Sequence, residues 1–399
     1  MKNVRWRHEA DIASKIEPEQ QKNKRCPLLT ILLSLLALIA LLHFIAVTHS
    51  AYPTVVVNTC DKAIRNANYT QYVSIAKLQE MLAVQFTDTL TSGQPSAMVQ
   101  VEDKGPQHLL DIYLYGCSME HHSPSLTLLF KRQGLIEGTA TVTSAHTLSI
   151  GQLDTTLAAH ANTFLLPLQE NVYQEYTWQD GGLRQASFPG IYPVSSRSEA
   201  EALQGQVDQN LPWTEPLATA EQMAQDLLKW PPKSFRSALI DANDNRAHVR
   251  LSKLQPSMEV TVSIAKLVQQ DAKGLWFVTG AQTAGITLNQ AHLRTTSTSP
   301  LIVQGTIAHR NSSIKATLFD HTMTPVTSLR GTAIQIRSDG SYEGKLLYAH
   351  LFPGQPGLLL LEALPPSSED KHKDAKRKEV EHASKQEERQ LLLVPVLLG

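Results

Sequence analysis

An excess of charge of either sign is missing from this sequence: 37 acidic residues face 36 Lys plus Arg, for a formal net charge of −1. No global field therefore draws the chain to nucleic acid or anionic lipid, and a nucleic-acid role is excluded as an expectation. Catalytic signatures are missing too. There is no G-x-S-x-G elbow, no S-x-x-K set with partners, no HExxH, and no glycine-rich phosphate or dinucleotide loop. The sequence thus nominates no catalytic, cofactor-binding or metal residue, and the expectation is a protein that is not an enzyme and needs no cofactor. Cysteine is scarce, with three residues in the chain, so a disulfide-dense miniature scaffold is excluded.

What is present is a long apolar run. Pro27–Val47 reads PLLTILLSLLALIALLHFIAV without one Asp, Glu, Lys or Arg. As a helix it spans roughly 30 Å, the hydrocarbon thickness of a bilayer, and it has no polar face at helical spacing. Lys22, Lys24 and Arg25 precede it, and no Lys or Arg follows until Lys62. The bias of positive charge predicts a cytoplasmic segment 1–26, a single-pass helix 27–47, and a bulk outside the cytoplasm. The run exceeds the roughly 7–15 residues of a signal-peptide core, which favours an uncleaved signal anchor in the cell membrane. On this topology Cys26 is cytosolic, whereas Cys60 and Cys117 share an oxidising compartment. A Cys60–Cys117 disulfide is the economical reading; two buried free thiols are the alternative.

The chain of 399 residues has room for two or three domains. The predicted fold is an α+β central region plus an all-β immunoglobulin-like sandwich, behind the one transmembrane helix. Residues 53–210 form the first extracytoplasmic α+β region. Within it, Val73, Ala76, Leu78, Leu82 and Phe86 predict an amphipathic helix over Tyr72–Leu90. Strands follow at Met98–Val101, Leu109–Tyr115, Leu126–Phe130, Ile136–Val142 and Thr147–Ile150. A hairpin over Asn171–Phe188 turns at Asp180-Gly181-Gly182. Ser196–Glu199 reads as a capping box opening a helix. Thr219–Gln222 reads as another, opening a helix that stops at Pro231-Pro232.

The second unit, 211–295, is that helix plus antiparallel strands at His248–Leu251, Met258–Val268 and Trp276–Thr279. In element order it is similar to a cystatin or a nuclear-transport-factor cone. From 296 to 399 short strands recur with polar turns, the signature of a β-sandwich. Between the last two lies a charged, solvated insertion, 365–390, which cannot bury a core.

Ser299-Pro300-Leu301-Ile302-Val303-Gln304-Gly305-Thr306, Ile314–Asp320, Gly340-Ser341-Tyr342-Glu343-Gly344-Lys345-Leu346 and Leu393-Val394-Pro395-Val396 carry a resemblance. Residues 296–399 resemble the immunoglobulin-like domain of bacterial spore germination, the domain found beside the GerM domain. Residues 97–295 resemble uncharacterised membrane-anchored proteins of spore-forming bacteria, on LLPLQENVYQEYTW, FPGIYPVSSRSEAEALQ and GLWFVTGAQTAGITL. The resemblance implies an envelope-associated, non-catalytic module linked to sporulation or germination. Its partners would be the bilayer, through 27–47, and an envelope protein or wall polymer. The competing class is an extracytoplasmic hydrolase with its site in the central region.

Four constellations remain. Cys117-x-x-x-His121-His122, with Glu120 inside, carries too few ligands for a closed zinc site and reads as a polar loop. Asp241-x-Asn243-x-Asn245 begins like a calcium loop, but Arg246 stands where glycine is needed, so it reads as a turn. Asp154, His160 and scattered serines lack any local pattern that would make them a triad. Trp178, Trp213, Trp230 and Trp276 read as core anchors rather than as a ligand groove.

Overall fold

The computed structural model describes residues 59–120, 123–156, 171–209, 211–289, 299–309, 312–326, 334–348, 352–364 and 389–399. The expected segments 1–26 and 27–47 lie outside these residues, as do His121, His122, His160 and most of the charged insertion 365–390. Among the described residues no helix is long and apolar enough to cross a membrane.

Thr59 onward forms one compact unit, built mostly of antiparallel sheet. A helix over 59–66 (α1) and a short 3-10 turn at Tyr69–Gln71 precede a four-stranded meander. Its strands are β1 (Gln79–Thr87), β2 (Ser96–Asp103), β3 (Leu109–Glu120) and β4 (Ser123–Ile136). Alternation decides which way each side chain points. Ala97, Val99 and Val101 of β2, with Tyr113 and Tyr115 of β3, pack on Ile64, Tyr69 and Val73. Met98, Ile112 and Leu114 face the opposite way, onto Leu148, Ile150 and Tyr176 of the next sheet.

That sheet comprises β5 (Thr139–Val142), β6 (Leu148–Leu153), β7 (Asn171–Gln179) and β8 (Gly182–Ala186). Its hairpin turns where the sequence signals it. Asp180 and Gly181 both take positive φ, at 50° and 79°, and Gln179 pairs with Gly182. Two central left-handed residues match the twist of the flanking strands.

Two helices follow, α2 (Arg197–Gln204) and α3 (Pro216–Asp226). Ser196 caps α2 as expected, its hydroxyl accepting from Glu199 N. The expected capping box at Thr219 is corrected: α3 opens four residues earlier, with Pro216 at its first position and no side-chain cap at Glu215. Proline's fixed φ suits that position, and the missing N–H would have no intrahelical partner there. Thr219 instead sits in the first turn and donates to Glu215 O at 2.8 Å.

The remaining strands are β9 (Phe235–Ala242), β10 (Arg246–Lys253), β11 (Met258–Lys266), β12 (Trp276–Gln282), β13 (Ile286–Leu288), β14 (Leu301–Ile307), β15 (Ser313–Phe319), β16 (Gln335–Ile336), β17 (Ser341–Leu346), β18 (Gln355–Leu364) and β19 (Gln390–Leu398). They form a seven-stranded sheet, β15-β18-β19-β12-β11-β10-β9, and a four-stranded sheet, β13-β14-β17-β16. Both sheets run across residue 295, where the sequence places a boundary. Strands β18 and β19 explain why. Leu359, Leu361, Val394 and Val396 meet Leu301, Val303 and Tyr342 of the smaller sheet, which makes a sandwich. Their alternates, Leu358, Leu360, Leu391 and Leu393, belong to a second core with Met223 of α3 and with Val249, Val262 and Phe277. A strand buried on both faces reads as a continuous apolar run, as these two do.

The helix expected over Tyr72–Leu90 is corrected to an edge strand, β1. Leu78, Leu82 and Phe86 are four apart, and a spacing of four satisfies both a helical turn and the even period of a strand. All three are exposed, at 64%, 58% and 38%, while Met81 and Val84 reach the core. A bulge lies between Met81 and Ala83, and the Arg65 guanidinium of α1 sits 5.4 Å from the Phe86 ring centre. The expected strand Ile136–Val142 is likewise two strands, broken where Glu137 turns with φ 46°.

Cys60 of α1 and Cys117 of β3 are bonded, with Cα atoms 5.5 Å apart across a sequence separation of 57. Closing a loop of that length restricts the unfolded chain by about 4 kcal/mol on the chain-entropy account. Cys60→Ser with Cys117→Ser should therefore lower the unfolding free energy by about that amount in denaturant titrations. An unchanged midpoint and slope would show that the bond carries no stability.

Candidate functional site

Among the described residues, two polar places bear most directly on function. The first is a buried centre where three elements meet: Asp154 just after β6, Glu199 on α2, and His321 in the turn after β15. His321 Nε2 lies 2.9 Å from Asp154 Oδ2, and the two side chains are 1% and 2% exposed. Asp154 Oδ1 also accepts from Thr156 N at 2.7 Å and Thr156 Oγ1 at 2.6 Å. His321 N donates to Gln355 Oε1 at 3.4 Å. Nε2 of the ring faces the Asp154 carboxylate, and Nδ1 points away from it.

Burial pushes the Asp154 carboxyl up, but the bonds from His321 and Thr156 outweigh it and hold the group below the usual carboxylate range. Glu199 goes the other way. Burial pushes it up to about 7, against downward pulls from the Ser196 hydroxyl and the His321 charge. Glu199 Oε1, His321 Nδ1, Ser195 Oγ and Gln355 Nε2 have no hydrogen-bond partner among the described residues. Buried polar atoms in that position are ordinarily served by internal water.

An Asp–His pair is two parts of an acyl-transfer triad, but here the free imidazole nitrogen meets no hydroxyl within hydrogen-bond reach. The pair is closed to solutes, and it ties the β5–β8 sheet to the sandwich. Of the residues singled out from the sequence, Asp154 is in this centre. His321 was not legible there, because nothing local announces a partner 167 positions away, and Glu199 was legible only as the close of the capping box at Ser196.

The other sequence candidates resolve separately. Cys117 is spent in the disulfide, so its thiol is not a ligand, and no metal-holding group of His, Cys, Asp and Glu occurs among the described residues. Asp241–Asn245 is the β9–β10 turn. Asn243 Oδ1 accepts from Asn245 N and Arg246 N at 3.0 and 2.8 Å, and Asp241 Oδ1 meets His248 Nδ1 at 2.8 Å. Trp213, Trp230 and Trp276 belong to the core around α3, and Trp178 is half-buried on β7.

The second place is a cleft of about 520 Å³ where β12 and β19 part. The two strands pair only at Ala281/Leu393 and Gln282/Leu392. Beyond these, β12 turns to a different partner: Ile191 N donates to Val278 O at 2.7 Å, and Val278 N donates to Tyr192 O at 2.9 Å. Thr279 is the extra residue of a bulge, since Val278 and Gly280 pair with the successive residues Ile264 and Ser263. Ser187, Ser263, Thr279 and Gln282 supply hydroxyl and amide groups to the walls, and Leu392–Val396 supply aliphatic surface. Its volume lies within the roughly 300–1,000 Å³ range of ligand pockets.

Compared with known proteins, the chain matches no protein family, no curated protein and no solved structure.

The buried centre sets a pH dependence. Glu199 binds its proton up to about 7 in the folded state, against an ordinary value of 4.5. The folded chain therefore holds more protons across that window, and stability falls as pH rises from 4.5 to 7, by about 3 kcal/mol in all. Glu199→Gln should flatten this slope and raise the melting temperature above pH 7; a slope that persists in the variant would place its origin elsewhere. Asp154→Ala leaves His321 buried without its partner and should cost about 3–5 kcal/mol. Asp154→Leu with His321→Phe should cost less than that single change, as thermal melts would record.

Proposed function

We propose that this chain is a membrane-anchored, extracytoplasmic binding protein of the bacterial cell envelope. In this reading residues 27–47 hold it in the bilayer with the N-terminus cytoplasmic, and the sandwich and its neighbouring sheets present the binding surface. The observation that carries it is the cleft between β12 and β19. Its walls offer hydroxyls, an amide and aliphatic side chains, groups that hydrogen-bond and pack but do not titrate near neutrality. Such a lining suits retention of a ligand better than proton transfer to one.

Two further features support the reading. A Cys60–Cys117 bond suits an oxidising compartment rather than the cytosol. The sandwich built on β14, β17, β18 and β19 is compatible with the immunoglobulin-like resemblance of residues 296–399, and with it an envelope role in sporulation or germination. The Asp154–His321 pair is what favours an extracytoplasmic hydrolase instead. Its enclosure, with both side chains at 2% exposure or less, weighs against that alternative.

Topology and binding are tested separately. In intact cells an impermeant maleimide should leave Cys26 unlabelled, and should reach Cys60 and Cys117 only after reduction. Labelling of Cys26 alone would reverse the orientation. The detergent-solubilised full chain should co-sediment with purified cell wall or retain purified envelope proteins on a column; retention of neither removes the binding role.

A further inference from the structure

The direction of main-chain groups along β19 shows what kind of ligand the cleft is shaped for. Gly354 N donates to Leu398 O, and β18 pairs with β19 in unbroken register from Gln355/Leu398 to Ala363/Gln390. In an antiparallel ladder the groups of alternate residues point to opposite sides. Even-numbered residues of β19 therefore serve β18, and odd-numbered ones face β12. Thr283 N donating to Leu391 O at 2.8 Å fits that parity. Position 395, beside the cleft, is thus turned toward β12, and it is a proline. It offers a carbonyl and no N–H, so the gap carries no unmet main-chain donor from that residue.

A peptide already uses this split. Residues 191 and 192 enter it and exchange two main-chain hydrogen bonds with Val278, making a one-residue antiparallel bridge. The edge of β12 is therefore competent to take an extended chain. Ser187 and Pro189, just upstream of that bridge, form the exposed rim. Among the described residues no charged or aromatic side chain lines the cleft. The absence of charge disfavours ionic ligands, and the absence of an aromatic face disfavours sugar rings.

We propose that the cleft between β12 and β19 binds a short, extended, uncharged peptide segment, seated between the Thr279 bulge and the Pro395 carbonyl. This inference rests on the binding role proposed above and names the chemistry of the partner. The mode is strand addition within an opened sheet. Main-chain hydrogen bonds hold the segment, and walls without charge among the described residues accept uncharged side chains.

Gly280 gives the test. A Cβ built there meets only Leu393 O, at 3.6 Å, an ordinary contact, so Gly280→Leu can fill the cleft without displacing the backbone. Ser187→Trp, at an exposed rim position, blocks the mouth without touching a core and serves if Gly280→Leu melts early. The full-length protein in detergent is panned against a random hexapeptide phage library, and the enriched peptides are titrated against wild type and both variants. Purified glycan strands stripped of peptide form a parallel arm.

Uncharged peptides should be enriched, and their binding should weaken at least about tenfold in a folded blocked variant. Peptides that bind wild type and variants alike would leave the binding role standing and remove the cleft from it. Glycan strands held in a cleft-dependent way, with no peptide held, would replace the proposed partner by a neutral sugar. Loss of both arms, together with no retention on cell wall, would overturn the cleft and the binding role together.

Discussion

The burial of β18 and β19 on both faces is the constraint on which the rest of this structure depends. Each strand gives alternate aliphatic residues to two different cores, one shared with the small sheet of the sandwich and one with α3 and β10–β12. Two adjoining bodies with separate sheets could open independently. Here the same backbone carries both cores, so losing either exposes one face of the same two strands. Unfolding on either side of residue 295 is coupled as a result, which makes the region cooperative over a length normally divided between domains.

The polar centre is organised by the same arrangement. His321 leaves the end of β15, at the edge of the seven-stranded sheet, and meets Asp154 from the β5–β8 sheet. A second tie lies close by: Gln174 and Gln185 of that sheet donate to the carbonyls of Pro353 and Gly354, ahead of β18. Polar contacts thus join bodies whose apolar cores are distinct. Buried groups of this kind add orientation more surely than stability, because each must be satisfied in one geometry. Glu199 illustrates the cost: burial holds its proton in place up to about pH 7, where an exposed carboxyl would long have ionised.

Much of this architecture was legible in the sequence wherever local chemistry decides the outcome. Asp180-Gly181-Gly182 specified its turn through the need for two positive φ values, and Ser196 specified the start of α2 through its hydroxyl. The apolar runs LIVQGTI, SIKATLF and LLLVPVLL became strands as their composition indicates. What stayed hidden depends on partners distant in the chain. Leu78, Leu82 and Phe86 share a spacing that helix and strand both satisfy, and only pairing with β2 resolves it. The joining of β12 to β19 and the pairing of Asp154 with His321 are long-range events with no local signature. The cleft follows from the first of these, since it exists only because two distant strands meet and then part.

The hairpin topology of β18 and β19 has a consequence for how this chain can vary. The two strands are neighbours, with Ala363 and Gln390 paired at the end where the charged stretch departs and returns. Nine pairings fix their register whatever connects them. Each doubling of a connection's length costs only about 0.6 kcal/mol in closure entropy. Length and composition can drift at this point over generations without moving a single core contact. The sandwich therefore accommodates a connection free in length and sequence between two of its most constrained strands.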